Sequence, residues 1–174
     1  IKIQLLMPDE ITIDCDKTDF ICKYGLWKGK RLYDLYETNS VYINDLFNYA
    51  SNINIPIFSS VFGLDTLKFL EEYDCPAYKI SSFENNWPEL IQACRDTGKP
   101  LLISTGLNGG IRKPLLFSTG LDEYRGIEFN SNDVIMHCVS SYPTKLVNAN
   151  LIAISEIHRM WDYIGFSDHT IGTK

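Results

Sequence analysis

The strongest constraint on the fold is a repeated alternation of short apolar segments with amphipathic segments of helical periodicity. Such alternation is typical of βαβ units, in which parallel strands are joined by crossover helices. Six segments are predicted as strands, namely 1–6, 55–61, 77–82, 100–105, 133–139 and 163–168. Four segments are predicted as helices, namely 43–52, 64–73, 87–97 and 149–161.

Polar side chains in the predicted strands are concentrated at the carboxyl ends. Nearly every strand is apolar until its last residues, which then include Ser, Thr, Lys, Glu or His. Right-handed crossovers allow an open doubly wound sheet or a barrel, and a barrel collects such strand ends at one mouth, where its active site lies. We therefore predict an α/β fold, an incomplete (β/α)8 TIM-type barrel with about six of eight strands, as one catalytic domain over residues 1–174.

Two segments depart from the alternation. Residues 7–40 form a long charged and aromatic excursion after the first predicted strand, which is the position of an active-site loop. The sequence KPLLISTGL at 99–107 recurs almost unchanged as KPLLFSTGL at 113–121. Only one copy can be the barrel strand, and the second copy stands where a crossover helix is expected.

Net charge, the length of apolar runs and the spacing of cysteines exclude several classes of function. With a formal net charge of −6, the chain lacks the clustered Lys and Arg of a nucleic-acid-binding surface. No run of 18 or more apolar residues predicts a transmembrane helix, and no leader sequence is recognised before Ile1. The five cysteines include no C-x-x-C pair, which favours reduced thiols over a disulfide framework or a zinc site. We therefore expect a cytoplasmic protein with neither nucleic acid nor membrane as a partner.

Two lysines lie at positions that would direct them into a barrel. Lys2 and Gln4 alternate with apolar residues and so share one face of the first strand, and Lys79 and Ser81 do the same in the third. A buried lysine is costly unless it is paired with an anion, so a phosphate or carboxylate ligand is one interpretation. A structural ion pair, for instance of Lys79 with Glu84, is the other, and the residues alone do not decide between them.

Hydroxyl side chains recur at strand ends. A single serine at such a position is more often a turn former. Together, however, they could donate hydrogen bonds to phosphate oxygens without adding charge. The serines in question are Ser59, Ser60, Ser82, Ser104 and Ser167.

Two histidines also lie near strand ends. His169 follows Asp168 in GFSDHT and could ligate a divalent metal with the carboxylate nearby, although a lone histidine is more often structural. His137 has an equivalent position in MHCVSSYP and is a candidate second ligand or phosphate partner. His158 lies within a predicted helix, where we expect it to be structural or exposed.

Four stretches follow one another in the chain, namely IPIFSSVFGLDTLKFLEEYDCPAYKISSFE, TGKPLLISTG, MHCVSSYP and GFSDHT. In this order they resemble the sialic-acid (nonulosonic acid) synthase family, and the resemblance covers nearly all 174 residues. The excursion ITIDCDKTDFICKYGLWKGKRLYDLYE is similar to that of pseudaminic acid synthases rather than neuraminate synthases. The resemblance implies condensation of phosphoenolpyruvate with a 2,4-diacetamido-2,4,6-trideoxy hexose, with an N-acetylneuraminate or legionaminate synthase as the alternative.

The resemblance also implies roles for particular positions. The sugar would contact Gln4, Glu84 and Tyr142. Glu84 and His169 would be catalytic, and His169 would be one of two histidine ligands of a divalent metal, manganese or magnesium. The phosphate of phosphoenolpyruvate would be held by Lys2, Ser60, Lys79, Ser82, Ser104 and Ser167. Many relatives carry Asn at the position of Ser140.

Three parts of the family pattern lie outside this chain. They are a first strand with an acidic catalytic residue, a last strand with the second metal histidine, and a C-terminal antifreeze-like domain that lends an arginine to the partner subunit. We therefore expect a fragment that is inactive by itself and a homodimer at full length. A truncated, non-catalytic barrel remnant is the alternative of another class, and a Schiff-base aldolase is a third.

Overall fold

The computed structural model describes residues 1–18, 20–22, 25–27, 29, 31–40, 42–106 and 131–172. The chain divides into two compact units, Ile1–Pro76 and Ala77–Lys174. The second copy of the repeated sequence, at 113–121, lies outside the described residues.

The first unit is built on one parallel strand pair. In chain order its elements are β1 (Lys2–Gln4), α1 (Pro8–Ile11), β2 (Phe20–Cys22), β3 (Gly25–Trp27), α2 (Leu32–Ser40), α3 (Ile43–Asn52), β4 (Phe58–Val61) and α4 (Leu64–Leu70). Strands β1 and β4 pair in parallel, with Gln4 opposite Ser60. Lys2 and Gln4 are exposed and Leu5 is fully buried, so the predicted alternation of faces is confirmed.

The excursion at 7–40 contains regular structure that the sequence did not predict. Pro8 occupies the first turn of α1, where its missing N–H costs nothing. Strands β2 and β3 form an antiparallel pair, and helix α2 follows them. Strands of three residues are too short to display an alternating pattern, which explains why the sequence pattern did not reveal them.

The second unit carries four parallel strands. In chain order its elements are β5 (Tyr78–Ile80), α5 (Pro88–Asp96), β6 (Leu101–Ser104), β7 (Val134–Cys138), a 3₁₀ turn (Leu146–Asn148), α6 (Ile152–His158) and β8 (Ile164–Ser167). The strands lie in the order β5-β6-β7-β8. Ile80 aligns with Ile103, Ile103 with Ile135, and Ile135 with Ile164, so the register runs through a row of isoleucines.

The core of the second unit is formed by apolar residues of its strands and of helix α5. Tyr78, Ile80, Ile103 and Ile135 are completely buried, and Leu90 of α5 is buried with them. Burying an aliphatic side chain of this size stabilises a fold by about 1.5–3 kcal/mol. None of the helices in the described ranges is long and apolar enough to cross a membrane.

Every predicted strand and helix is present in the described ranges, and most are shorter than predicted. Helix α3 has the predicted bounds, whereas α6 begins three residues later and ends three residues earlier than the predicted 149–161, and the 3₁₀ turn lies before the predicted start. Asn86 and Glu89 look like a capping pair for α5, but that interpretation is wrong. Trp87 takes the N-cap position without a side-chain cap hydrogen bond, because Pro88 starts the helix.

Candidate active site at the strand ends

The carboxyl ends of β5, β6, β7 and β8 lie at the same edge of the second unit, because the four strands are parallel. The segments that follow these strands carry most of the polar residues singled out from the sequence. In parallel α/β folds this edge is where ligands bind. The geometry at this edge therefore decides which predictions have structural support.

Ser82 lies at the centre of one polar cluster. Its Oγ is 3.1 Å from the Sγ of Cys138 at the end of β7, and it accepts a hydrogen bond of 3.1 Å from the backbone N–H of Gly106. Gly106 is packed so closely that an added Cβ would lie 2.5 Å from the Oγ of Ser140 and 2.7 Å from Sγ of Cys138. The ends of β5, β6 and β7 therefore meet through polar side chains and a glycine backbone.

Three polar atoms at this edge are buried without a hydrogen-bond partner in the described part of the chain. They are the Oγ of Ser104, the Oγ of Ser140 and Oε2 of Glu84. Buried polar groups are nearly always hydrogen-bonded, and an unsatisfied one costs about 1–3 kcal/mol. Such atoms are candidate contacts for a ligand or an ordered water.

Glu84 is the candidate for proton transfer. Burial is the main cause that raises the pKa of its carboxyl above the ordinary value of 4.5. Its own backbone N–H, the Ser81 hydroxyl and the positive charge of Lys79 oppose that rise. A carboxyl whose pKa is raised holds its proton to a higher pH than an ordinary carboxyl, which favours a role in general acid–base chemistry. Lys79 and Glu84 are thus close enough to interact, as predicted. This proximity is compatible both with a structural ion pair and with a role of Glu84 in proton transfer.

Asn85 supports this arrangement and was missed from the sequence. Its side chain is 1% exposed, and its Nδ2 donates a hydrogen bond of 2.7 Å to the carbonyl oxygen of Ser104. This bond ties the end of β6 to the segment after β5. The sequence gives no signal that separates Asn85 from its neighbour Asn86, because both lie in one polar turn.

His169 belongs to a second polar cluster, after β8. Its Nδ1 lies 2.7 Å from the carbonyl oxygen of Val139, which can only accept, so Nδ1 carries the proton. In the neutral ring, Nε2 then carries the lone pair, and this atom lies 3.2 Å from the Oγ of Ser167. The ring of Tyr142 packs against the imidazole with centroids 4.1 Å apart. Ser167, Tyr142 and His169 are thus brought together.

A divalent metal has limited support in the described residues. The lone pair of His169 Nε2 is the kind of donor that a metal requires. The Asp168 carboxylate, however, accepts hydrogen bonds of 2.9 and 3.0 Å from the backbone and hydroxyl of Thr170, which lower its pKa. No group of three His, Cys, Asp or Glu side chains gathers within the described ranges. One ligand does not make a site, so the metal stays a prediction.

The other two histidines have different environments. His137 is buried, its Nε2 lies 2.8 Å from the carbonyl oxygen of Ala149, and its ring stacks on Phe166. These contacts occupy the nitrogen that would bind a ligand, so a structural role is favoured. His158 is exposed at the end of α6, in agreement with the prediction.

The candidates of the first unit lie on the parallel strands β1 and β4, with Lys2 at the amino end of β1 and Gln4 at its carboxyl end. The Oγ of Ser60 is buried without a partner among the described residues, and partial desolvation lowers the pKa of the exposed Lys2. Gln4 is exposed. Ser59 is different, because its Oγ accepts from the N–H of Leu5 at 3.1 Å and donates to the carbonyl of Ser60 at 2.9 Å. Ser59 is therefore a structural residue rather than a phosphate contact.

Parallel strands joined by helices, with polar groups gathered at the carboxyl ends, define an α/β-barrel type of fold with an active-site edge. The family follows from comparison with known proteins. The chain belongs to the NeuB family, whose model matches residues 1–174.

Curated relatives agree with this family. The chain is 36% identical to pseudaminic acid synthase of Campylobacter jejuni over 99% of its own length and 50% of that relative. It is 33% identical to pseudaminic acid synthase of Helicobacter pylori, over 99% of the chain and 51% of the relative. Identity to N,N'-diacetyllegionaminic acid synthase of Legionella pneumophila is 28%, over 73% of the chain and 36% of the relative. The chain therefore spans about half the length, or less, of these relatives.

Solved structures support the fold. N-acetylneuraminic acid (sialic acid) synthetase from Leptospira borgpetersenii matches with a TM-score of 0.60 and 23% identity, over 80% of this chain and 48% of that one. Spore coat polysaccharide biosynthesis protein spsE from Bacillus subtilis matches with a TM-score of 0.60 and 22% identity, over 81% and 39%. The predicted incomplete TIM-type barrel and the predicted family are both confirmed.

Proposed function

We propose that the whole protein containing this chain is a nonulosonic acid synthase. In this proposal it condenses phosphoenolpyruvate with 2,4-diacetamido-2,4,6-trideoxy hexose to give pseudaminic acid and phosphate. The observation that carries the proposal is a group of polar atoms at the strand ends of the second unit that are buried without a partner among the described residues, namely Ser104 Oγ, Ser140 Oγ and Glu84 Oε2. The positive charge of Lys79 acts on Glu84 in the same group. The pseudaminic acid synthases among the relatives support the choice of sugar.

Phosphate binding fits the chemistry of this edge. A phosphate has only acceptor oxygens at neutral pH, so it needs hydroxyl or N–H donors and a cation. Ser82, Ser104 and Ser167 supply hydroxyls in the second unit, and Lys79 supplies the positive charge. The phosphate-binding roles of Lys2 and Ser60, in the first unit, rest on the family resemblance.

The proposed reaction forms one carbon–carbon bond. C3 of phosphoenolpyruvate attacks the aldehyde carbon of the open-chain sugar, and positive charge develops at C2. Water adds at C2, and the resulting intermediate expels phosphate to leave a ketone. Glu84 would donate its proton to the aldehyde oxygen and then accept one from the attacking water, a cycle that its raised pKa favours.

The sugar and metal assignments complete the proposal. Gln4 and Tyr142 would contact the sugar together with Glu84. His169 Nε2 would contribute one ligand to manganese or magnesium, whose role when bound would be that of a Lewis acid. The described residues do not complete that ligand set, so no step is assigned to the metal. The protein would work as a cytoplasmic homodimer.

The decisive experiment replaces Lys79 in the whole protein and follows phosphate release. Losing a hydrogen bond from a charged donor typically costs 1.5–3 kcal/mol, so Lys79→Ala should lower kcat/KM for phosphoenolpyruvate by about 10- to 150-fold. Lys68→Ala, on the exposed side of α4, is the matched control and should behave as wild type. Unchanged phosphoenolpyruvate kinetics in Lys79→Ala would remove the phosphate assignment.

A sugar panel separates the alternatives within the family. The 2,4-diacetamido-2,4,6-trideoxy hexose that serves pseudaminate synthesis, the sugar that serves legionaminate synthesis and the sugar that serves neuraminate synthesis are compared in the same assay. The highest kcat/KM is expected for the first. We also expect the 174 residues alone to release no phosphate. If the whole protein neither turns over nor binds phosphoenolpyruvate in calorimetry with manganese, the non-catalytic remnant is the correct interpretation.

A further inference from the structure

The hydroxyl of Ser82 has an environment that determines where its proton points. Its Oγ accepts a hydrogen bond of 3.1 Å from Gly106 N–H and lies 3.1 Å from the Sγ of Cys138. Ser82 is 8% exposed and Cys138 is 5% exposed, so water competes little for either group. A hydroxyl has one proton and two lone pairs. The Gly106 N–H bonds to one lone pair of the Ser82 oxygen. The direction of the hydroxyl proton therefore depends on whether the Cys138 thiol donates to Ser82 or accepts from it.

Two hydrogen-bond arrangements are open to this pair. In the first, the Ser82 hydroxyl donates to the Cys138 sulfur and has no proton left for another acceptor. In the second, the Cys138 thiol donates to Ser82, both lone pairs are filled, and the hydroxyl proton points away from them. A phosphate offers only acceptors, so it can bind Ser82 in the second arrangement alone.

We propose that Cys138 is a positioning residue that turns the Ser82 hydroxyl toward the phosphate of phosphoenolpyruvate. The inference rests on the proposed function and adds to it a residue whose role neither the family match nor the names of the relatives assign. Sulfur suits the role because it is a weak acceptor, so the hydroxyl proton is released to a phosphate at little cost. The protonated thiol is also a donor, so its hydrogen bond to Ser82 can keep the hydroxyl proton directed toward the phosphate.

The neighbouring atoms are consistent with a ligand on this side. An added Cβ on Gly106 would lie 2.5 Å from Ser140 Oγ and 3.0 Å from Ser82 Oγ, so both hydroxyls approach the same point. The Oγ of Ser140 is buried and has no partner within the described ranges. Two hydroxyls converging beside one backbone N–H form a donor set that fits the oxygens of a phosphate.

The kinetic test uses Cys138→Ala and Cys138→Ser in the whole protein. Removing the thiol should raise KM for phosphoenolpyruvate about five-fold, the worth of one typical hydrogen bond. The kcat and the KM for the sugar should stay within about two-fold. The thiol acts here only through Ser82, which is assigned to the phosphate and not to the sugar. Cys138→Ser should recover most of the wild-type KM because its hydroxyl can also donate. Cys94→Ala, at a buried cysteine of α5, is the control for a general packing effect.

An infrared measurement tests the same idea without turnover. The S–H stretching band of Cys138, taken as the difference between wild type and Cys138→Ser, should shift to lower frequency when phosphoenolpyruvate binds. An unchanged band, or equal rises in both KM values for Cys138→Ala, overturns the positioning role while phosphate release persists. Absence of phosphoenolpyruvate turnover and binding in the wild type would instead reject the proposed function.

Discussion

The two units treat the polar groups at their strand ends in opposite ways. In the first unit the Glu10 carboxylate accepts hydrogen bonds from the backbone of Asp65 at 2.7 Å and of Thr66 at 3.2 Å, and also from the Thr66 hydroxyl. In the second unit Glu84 Oε2 and the hydroxyls of Ser104 and Ser140 are buried without a partner in the described part of the chain. Both oxygens of the Glu10 carboxylate are thus bonded within the chain, whereas one oxygen of Glu84 has no partner among the described residues.

This difference separates structural polar groups from candidate ligand contacts. A satisfied carboxylate such as that of Glu10 joins the segment after β1 to the start of α4 and has little capacity left for a substrate. A buried, unsatisfied hydroxyl carries a free-energy cost of about 1–3 kcal/mol that a bound ligand can offset. Ser60 is the member of the first unit that resembles the second, because its Oγ is buried without a partner among the described residues.

The largest effect is expected at Gly106, where the second unit has no room for a side chain. In Gly106→Ala the new Cβ would lie 2.5 Å from Ser140 Oγ, 2.7 Å from Cys138 Sγ and 3.0 Å from Ser82 Oγ. Overpacking of this kind typically costs 1–3 kcal/mol, so we expect about that loss in the free energy of unfolding, together with weaker phosphoenolpyruvate binding. Urea unfolding and calorimetry measure the two quantities.

Gly98→Ala is the matched control for this change. Gly98 has a φ of +74° with nothing within 4 Å of an added Cβ, so alanine there is strained without touching the strand-end cluster. A left-handed backbone costs a non-glycine residue roughly 1–2 kcal/mol. Both variants should lose stability, but Gly106→Ala alone should lose phosphoenolpyruvate affinity. Equal affinities in the two variants would show that the Gly106 cluster is structural, as in the first unit.

The sequence predicts the strands and helices of this fold better than it predicts which buried polar side chains lack a hydrogen-bond partner. The strands at 77–82 and 100–105 are evident because their apolar residues and flanking turns are local signals. The distinction between Ser59, whose Oγ bonds to Leu5 and Ser60, and Ser60, whose Oγ has no partner within the described ranges, is not local. It depends on which backbone groups the neighbouring strand presents, and that is determined only by the register.

Cys138 and Glu10 illustrate the same limit. Cys138 is visible in MHCVSSYP only as a small buried residue, and its contact with Ser82 joins residues 56 positions apart. Glu10 lies in an excursion whose charged residues all look alike from the sequence, yet it bonds to residues 55 and 56 positions away. Contacts between distant segments carry no periodic signal, so no pattern of spacing reveals them.

A smaller effect is expected at Glu10. Its carboxylate binds the first N–H groups of α4, which have no partner within the helix. Losing a cap of this kind typically costs about 1 kcal/mol, so Glu10→Ala should reduce the free energy of unfolding by about that amount. Amide hydrogen exchange should accelerate at Asp65 and Thr66, because their N–H groups lose the acceptor.

Two further variants serve as controls for Glu10→Ala. Glu10→Gln keeps one acceptor oxygen and should restore most of the slow exchange, whereas Glu72→Ala, at an exposed residue, should leave exchange at Asp65 unchanged. The KM for phosphoenolpyruvate should be unaffected in Glu10→Gln. A Glu10→Gln variant with normal stability but poor phosphoenolpyruvate use would mean that the Glu10 carboxylate is a ligand contact as well, and the comparison between the units would fail.

The smallest effect concerns the pH dependence of stability at Glu84. Because burial raises the pKa of this carboxyl, the folded protein binds its proton more tightly than the unfolded chain does. Stability contributed by the protonated form is therefore present below the ordinary pKa of 4.5 and is lost as the pH rises through the higher pKa of the folded state. The side chain of the Glu84→Gln variant cannot ionise, so the variant should not lose this stability as the pH rises. Urea unfolding from pH 4 to pH 7.5 should show the variant gaining stability relative to wild type as pH increases. A constant difference would mean that folding does not shift the pKa of Glu84, and the opposite trend would mean that the chain stabilises its carboxylate form. Either result would contradict the raised pKa on which its proposed role as a proton donor rests.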